Sequence, residues 1–153
     1  MSTASGSEFR DDIAAGLTAA VVLFVRHLAY GQSLAQSTVL AQLDDDGAIR
    51  LTALATATGV SQPSMTQLIA RMEREELVRR FDDPADGRAT LVEITDQGRA
   101  HRRATREELQ TRLNELLQTL PPEDEASLAL AMRVAGPIVE ELSRHAGGMR
   151  KAL

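Results

Sequence analysis

The punctuation between Thr52 and Glu75 restricts this chain more than any other feature of its sequence. A brief helical stretch holding Leu54, Ala55 and Ala57 meets Gly59, which stops a helix because it enters the left-handed region without a Cβ clash. Val60 follows, and then Ser61, whose hydroxyl can accept from a free amide of the next helix, with Pro63 tolerated in that helix's first turn. Two helices joined by so short a glycine turn predict a helix-turn-helix. Over residues 60–75, Met65, Leu68, Ile69 and Met72 share one face at helical spacing and predict core. The opposite face carries Pro63, Gln67, Ala70 and Arg74, with Ser64, Thr66 and Arg71 at its margins, and this face holds no Asp or Glu.

The flanking segments read as helices with one β-type interruption. Phe9, Ile13, Leu17, Val21, Phe24 and Leu28 recur at helical spacing, predicting one long amphipathic helix that ends near Gly31. Ser33 and Gln36 have the spacing of a capping box and open a second helix with Val39, Leu40 and Leu43, which residues 44–47 end as a solvated turn. Residues 49–51 suit a short strand, and Thr52 is placed to cap the brief third helix. Residues 77–81 and 89–94 are enriched in β-branched and apolar types around a turn segment at 82–87, predicting a β-hairpin with a long tip. Thr95 can cap a long fifth helix, striped with Leu109, Leu113, Leu116, Leu117 and Leu120 and ended by Pro121 and Pro122. A last helix carries Leu128, Ala131, Val134, Ile138 and Leu142. Gly136 and Pro137 predict a kink or split within it, and Gly147 and Gly148 release a basic tail.

The fold class that follows is mainly α with a small β-hairpin wing, a reading head joined to a helical assembly segment. With 43% hydrophobic residues but only 3% aromatic and no Trp, the core must be aliphatic. The apolar stripes of the first, fifth and sixth helices exceed what a small head can cover, which predicts a second copy of the chain as partner. The absence of Cys excludes disulfides, thiolate metal sites and thiol nucleophiles. His27, His101 and His145 fall on three different helices without a paired His-Glu spacing, so no catalytic residue, metal site or cofactor is expected. The first seven residues have no charged start followed by an apolar run. The longest apolar run, residues 13–25, is shorter than the roughly 20 residues a membrane span needs. The expected location is cytoplasmic, with no membrane partner.

A net charge of −5 argues against a nucleic-acid partner, because phosphate contacts require cations. The distribution answers the total: Asp11, Asp12, Asp44, Asp45, Asp46, Glu123, Asp124 and Glu125 lie in segments away from the acid-free helix face. That face offers what a DNA groove accepts. Gln67 has the geometry to pair bidentately with adenine, Arg71 or Arg74 with guanine or phosphate, and the free amides at the Ser61 end with a phosphate oxygen. On the hairpin, Arg79 and Arg80 stand at the base and Arg88 near the tip, long enough to enter a narrow minor groove, with Asp86 positioned to hold the Arg88 guanidinium. An enzyme would need a convergent nucleophile, base and orienter that the sequence lacks. A winged-helix module for protein-protein binding without DNA would need apolar residues where Pro63, Gln67 and Arg74 stand.

Leu51 to Ala100 resembles the MarR family of winged helix-turn-helix transcriptional regulators: "GVSQPS" opens the recognition helix, "LVRR" leads into the strand, "DPADGRA" forms the wing and "TDQGRA" enters a long helix. The resemblance implies a single domain over residues 1–153, with a DNA-binding head at 33–98 and dimerisation helices at 8–32 and 99–146. It further implies a homodimer on an inverted-repeat operator in double-stranded DNA, acting as a repressor released by a small phenolic or aromatic anion. Carried over residue by residue, DNA contact falls to Ser61, Gln62, Pro63, Ser64, Thr66, Gln67 and Arg71, and minor-groove contact to Arg88 supported by Asp86. Arg74 and Arg80 join them from the reading of the helix face and hairpin base. Effector contact between dimer helices and head falls to Arg26, His27 and Tyr30. Gln67 stands where many members have a basic residue. Glu76 stands where the family usually has the Gly that ends the recognition helix, so this helix must end differently or accept strain.

Overall fold

Helices dominate the computed structural model, which describes residues 4–28 and 33–151 and the side chains of 7–26 and 33–145. In chain order the elements are α1 (Ala4–Leu23), a π-helical turn (Phe24–Leu28), α2 (Leu34–Asp46), β1 (Ile49–Arg50), α3 (Leu51–Thr58), α4 (Gln62–Arg74), β2 (Val78–Asp83), β3 (Asp86–Ile94), α5 (Asp96–Leu117) and α6 (Pro122–Lys151). Two units divide between Leu34 and Ala35. In the first, the expected single α-helix gives way at Phe24 to a wider π-helical turn. Phe9, Ile13 and Val21 of α1 are exposed.

In the second unit the core lies between α2, α3, α4 and the sheet. Val39, Leu40 and Leu43 from α2, Leu54 and Ala55 from α3, and Met65, Ile69 and Met72 from α4 are buried with Leu77, Val78, Val92 and Ile94. Leu68 packs against this cluster from a partly buried position. No aromatic residue belongs to it, as the composition required. Among the described residues α5 and α6 add no apolar side chain to this core, and Val134, Ile138 and Leu142 of α6 stay exposed.

Three helix ends depart from the sequence reading. α3 begins at Leu51 after an extended Arg50 that makes no side-chain cap, so Thr52 lies inside the helix. α2 runs through Asp46, because Asp44 is not a solvated turn residue: its carboxylate receives Arg99 Nη1 and Arg102 Nη1 of α5, each at 2.5 Å. These charge-assisted bonds hold its pKa below the usual carboxylate range. α6 is not split at Gly136 and Pro137, nor ended by Gly147 and Gly148, and continues to Lys151. Proline removes one backbone bond at that point, and the helical turns on either side of it hold the helix together.

The sheet has the order β1-β3-β2, all antiparallel, with Val78 opposite Ile94, Phe81 opposite Leu91 and Ile49 opposite Val92. The expected long tip is instead two residues, Pro84 and Ala85, because the strands extend to the pair Asp83 and Asp86. Asp83 makes the tight tip possible. Its Oδ1 accepts the Ala85 amide at 2.8 Å while Oδ2 receives Arg50 Nη2 at 2.6 Å, and a bulge between Asp82 and Asp83 turns it toward Arg50. The Ala85 bond, with Arg50 second, holds the Asp83 pKa below its ordinary value.

α3 and α4 end by the same backbone closure. Val60 donates to the Ala55 carbonyl at 3.1 Å after Gly59 at φ 67°, and Leu77 donates to the Met72 carbonyl at 2.9 Å after Glu76 at φ 59°. The second closure uses a left-handed residue that carries a Cβ. Glu76→Gly therefore removes steric strain of about 1 kcal/mol, partly offset by the greater freedom of glycine in the unfolded chain. We expect a higher urea midpoint for Glu76→Gly with an unchanged slope, and a lower midpoint would show that the turn is not strained. A second expectation concerns pH. With a folded pKa below the unfolded one, ionised Asp83 adds stability that is present above the ordinary carboxylate range and lost as pH falls through the depressed value. Amide exchange at Ala85 should quicken in acid relative to the core, and Asp83→Asn should remove that pH dependence; an unchanged acid response would refute the role given to Asp83.

Candidate nucleic-acid interface

The outer face of α4 is built from its first turn. Ser61 is the N-cap in extended conformation, accepting the Ser64 amide at 3.4 Å and donating to Ser64 Oγ at 2.9 Å, while Thr66 Oγ1 donates to the Gln62 carbonyl at 2.9 Å. These bonds satisfy groups that a helix start leaves open. Ser61, Gln62, Pro63, Ser64, Thr66, Gln67, Arg71 and Arg74 are all exposed, and Met65, Ile69 and Met72 point the other way into the core. Arg71 Nη2 donates to Gln36 Oε1 at 3.3 Å, and its Nε lies 3.9 Å from Glu75. Arg74 Nε donates to the Ala70 carbonyl of its own helix, at 3.3 Å.

The hairpin arginines divide into held and unheld. Arg79 is held by Glu93 across the strands, Nη2 to Oε2 at 2.5 Å, and stacks 5.6 Å from the centre of the Phe81 ring. Arg80 donates Nε to Glu73 Oε2 at 2.8 Å and Nη2 to the same oxygen, joining β2 to α4. Arg50 is held by Asp83. Arg88, at the tip, has no carboxylate in ion-pair range among the described residues, and neither does Arg74. The expected pair between Asp86 and the Arg88 guanidinium is absent. Asp86 Oδ1 accepts the backbone amide of Arg88 at 3.2 Å instead, because an Asp at a turn finds the amide two residues on already in place, whereas a long guanidinium must be ordered first.

Glu73 is the residue that the sequence reading passed over. It follows Thr66 by two helical turns, so it stands on the same flank of α4, and the Arg at position 80 was the available signal for its partner. Its pKa is held below the usual range, chiefly by the Arg80 hydrogen bond. Over residues 61–94 the chain carries five arginines against seven acidic residues, so the head is not basic, and ion pairs within it engage most of its cations.

Of the residues expected to meet an effector, Arg26 lies exposed on the π-helical turn; the His27 side chain and Tyr30 lie outside the described residues. His101 Nε2 is 3.5 Å from Gln36 Nε2, and His145 Nδ1 donates to the Glu141 carbonyl at 2.9 Å. Among the described residues no group of three or more His, Cys, Asp or Glu could hold a metal ion, and no helix is long and apolar enough to cross a membrane.

Residues 33–90 match the MarR family. Over 134 residues, 84% of this chain and 94% of the other, the sequence is 33% identical to the HTH-type transcriptional regulator MT0903.1 of Mycobacterium tuberculosis. Among solved structures, YusO of Bacillus subtilis shares the fold with a TM-score of 0.61 at 22% identity, over 90% of this chain and 96% of that one. BpsR of Bordetella bronchiseptica, solved to explain regulation of its DNA binding by 6-hydroxynicotinic acid, shares it with a TM-score of 0.51 at 24% identity, over 86% and 91%. A capped recognition helix, a hairpin wing, and a relative matched along nearly its whole length agree: the chain belongs to the MarR family of winged helix-turn-helix proteins and is a transcriptional regulator, not an enzyme.

Proposed function

We propose that the chain acts as a homodimeric repressor that reads an inverted repeat in duplex DNA and leaves it when a small aromatic anion binds. The observation that carries the DNA part is the exposed outer face of α4, acid-free from Ser61 to Met72, together with an unheld arginine at the wing tip. Ser61, Gln62, Pro63, Ser64, Thr66, Gln67, Arg71 and Arg74 meet the major groove, where Gln67 reads a base edge and the amides at the helix start bind phosphate. Arg88 enters the flanking minor groove, drawn by its potential, and Asp86 shapes the turn that presents it.

The dimer part rests on apolar surface. Phe9, Ile13 and Val21 of α1, and Leu130, Val134 and Ile138 of α6, are more than half exposed in the single chain. Apolar faces of that extent are covered by a partner in a stable protein. A two-fold pair of heads meets half-sites about one helical turn, roughly 10 base pairs, apart. The effector part rests on likeness to BpsR, whose DNA binding a small aromatic acid regulates. Arg26, His27 and Tyr30 remain the residues proposed to meet such an anion, and the head at 33–98 and the helices at 8–32 and 99–146 the proposed division of labour.

Footprinting on the DNA upstream of its own gene should show a two-fold symmetric protected site, with the protein sedimenting at twice 16.6 kDa. A monomer protecting one asymmetric half-site would overturn the architecture. Arg88→Ala should weaken binding and reduce the salt slope by about 2 per dimer, at about 0.9 per phosphate; equal affinity at equal salt would remove the wing from the interface. Titration with 6-hydroxynicotinate or a simple phenolic carboxylate should weaken operator binding about 5- to 150-fold, the usual range for coupled sites. If none of these anions shifts DNA affinity, the effector reading fails and DNA binding stands.

A further inference from the structure

An acidic protein that binds DNA must decide which of its few cations face the phosphates, and in this head the decision is made by internal carboxylates. Arg80 is the informative case. On β2 it stands opposite Val92, on the side of the hairpin that faces the core, and its guanidinium reaches α4, where Glu73 accepts both Nε and Nη2 through one oxygen. Neither partner is deeply buried: their side chains are 36% and 35% exposed. The pair therefore sits at the rim between the Thr66 flank of α4 and the foot of the wing, the two surfaces assigned above to DNA. A pair so placed contributes little to stability, since water screens exposed ion pairs and ordering two long side chains offsets their attraction. It nevertheless governs whether a cation at that rim is available.

We propose that Glu73 sets the strength of DNA binding by this protein, holding Arg80 as a positioning residue between α4 and the wing and keeping its charge from the phosphate backbone. This rests on the DNA-binding reading above. With Glu73 ionised, the rim is electrically neutral, non-specific attraction to any duplex is weak, and selectivity comes from the neutral contacts of Ser61, Ser64, Thr66 and Gln67. Neutralising Glu73 frees one cation per head and removes one anion that repels phosphate. All sequences then bind more tightly, and the preference for the operator narrows.

The test is salt-dependent binding of the full-length chain to its footprinted operator and to an unrelated duplex, between about 50 and 200 mM salt, for the parent, Glu73→Gln, Arg80→Gln and the double variant. Glutamine keeps a carbonyl acceptor for Arg80, and a thermal melt confirms folding. Arg80→Gln should keep the parent's slope, because its charge is already engaged. Glu73→Gln should bind both duplexes more tightly with a slope steeper by about 2 per dimer, so that its advantage shrinks about tenfold across that salt range. The double variant should return to the parent's slope. A flatter slope for Arg80→Gln would mean that Arg80 already meets phosphate and would overturn the proposal, as would an unchanged slope for Glu73→Gln. The Arg80→Gln comparison stands even if Glu73→Gln fails to fold. A parent that binds no duplex at all would overturn the DNA reading itself, a distinct outcome.

Discussion

The backbone carbonyl of Leu77 lies where three elements meet, and the head depends on what surrounds it. α4 has just ended, β2 is about to begin, and α5 starts from the far end of β3 against the same point. Thr95 donates its amide to this carbonyl at 3.0 Å, and its hydroxyl donates to the Glu76 carbonyl at 2.6 Å while accepting the Gly98 amide at 3.0 Å. Gln97 adds a bond to the Glu75 carbonyl at 3.1 Å. A Cβ at Gly98 would stand 2.1 Å from the Leu77 oxygen, so only glycine allows this approach. The left-handed Glu76 is thus tied down on both sides, which is how a backbone state unfavourable to a residue with a Cβ persists. The recognition helix, the wing and the helix leading out of the head are fixed to one another through these carbonyls, which the Thr95 hydroxyl, the Gln97 amide and the bare Cα of Gly98 hold in place.

Around that fixed frame the polar residues sort by whether a partner is in reach. Asp44 joins α2 to α5, Asp83 joins β1 to the wing tip, Glu93 spans the strands and Glu73 joins α4 to the wing. Each carboxylate orders an arginine that would otherwise add to a diffuse positive field. The price in DNA attraction is set against a head with defined contacts, and among the described residues of the helix-turn-helix and wing Arg88 and Arg74 stand apart as cations in no ion pair. For a chain with a net charge of −5 this division matters more than the total, because phosphate responds to local potential within about a Debye length, roughly 8 to 10 Å.

Much of this was legible in the sequence, for local reasons. Gly59, Ser61 and Pro63 marked one helix end and the next start because backbone conformation and capping are decided by residues within a few positions of one another. Thr95 was legible as a cap on the same ground, and the core face of α4 through its period. Three of the departures share a cause of the opposite kind. The hairpin tip shortened because Arg50, distant in sequence, holds Asp83. α2 lengthened because Arg99 and Arg102 reach Asp44, and Arg80 was taken up by a carboxylate on another element.

The sequence by itself therefore determined the order of helices and strands, the aliphatic core and the character of the recognition helix, since period, propensity and punctuation act along the chain and need no distant partner. Tertiary structure alone decided which charges are spent inside the head and which remain free, and that a glutamate could occupy a turn made for glycine. Those outcomes depend on separations of a few ångströms between residues on different elements, from 7 positions apart for Glu73 and Arg80 to 58 for Asp44 and Arg102, and local sequence does not encode such distances until the chain has packed.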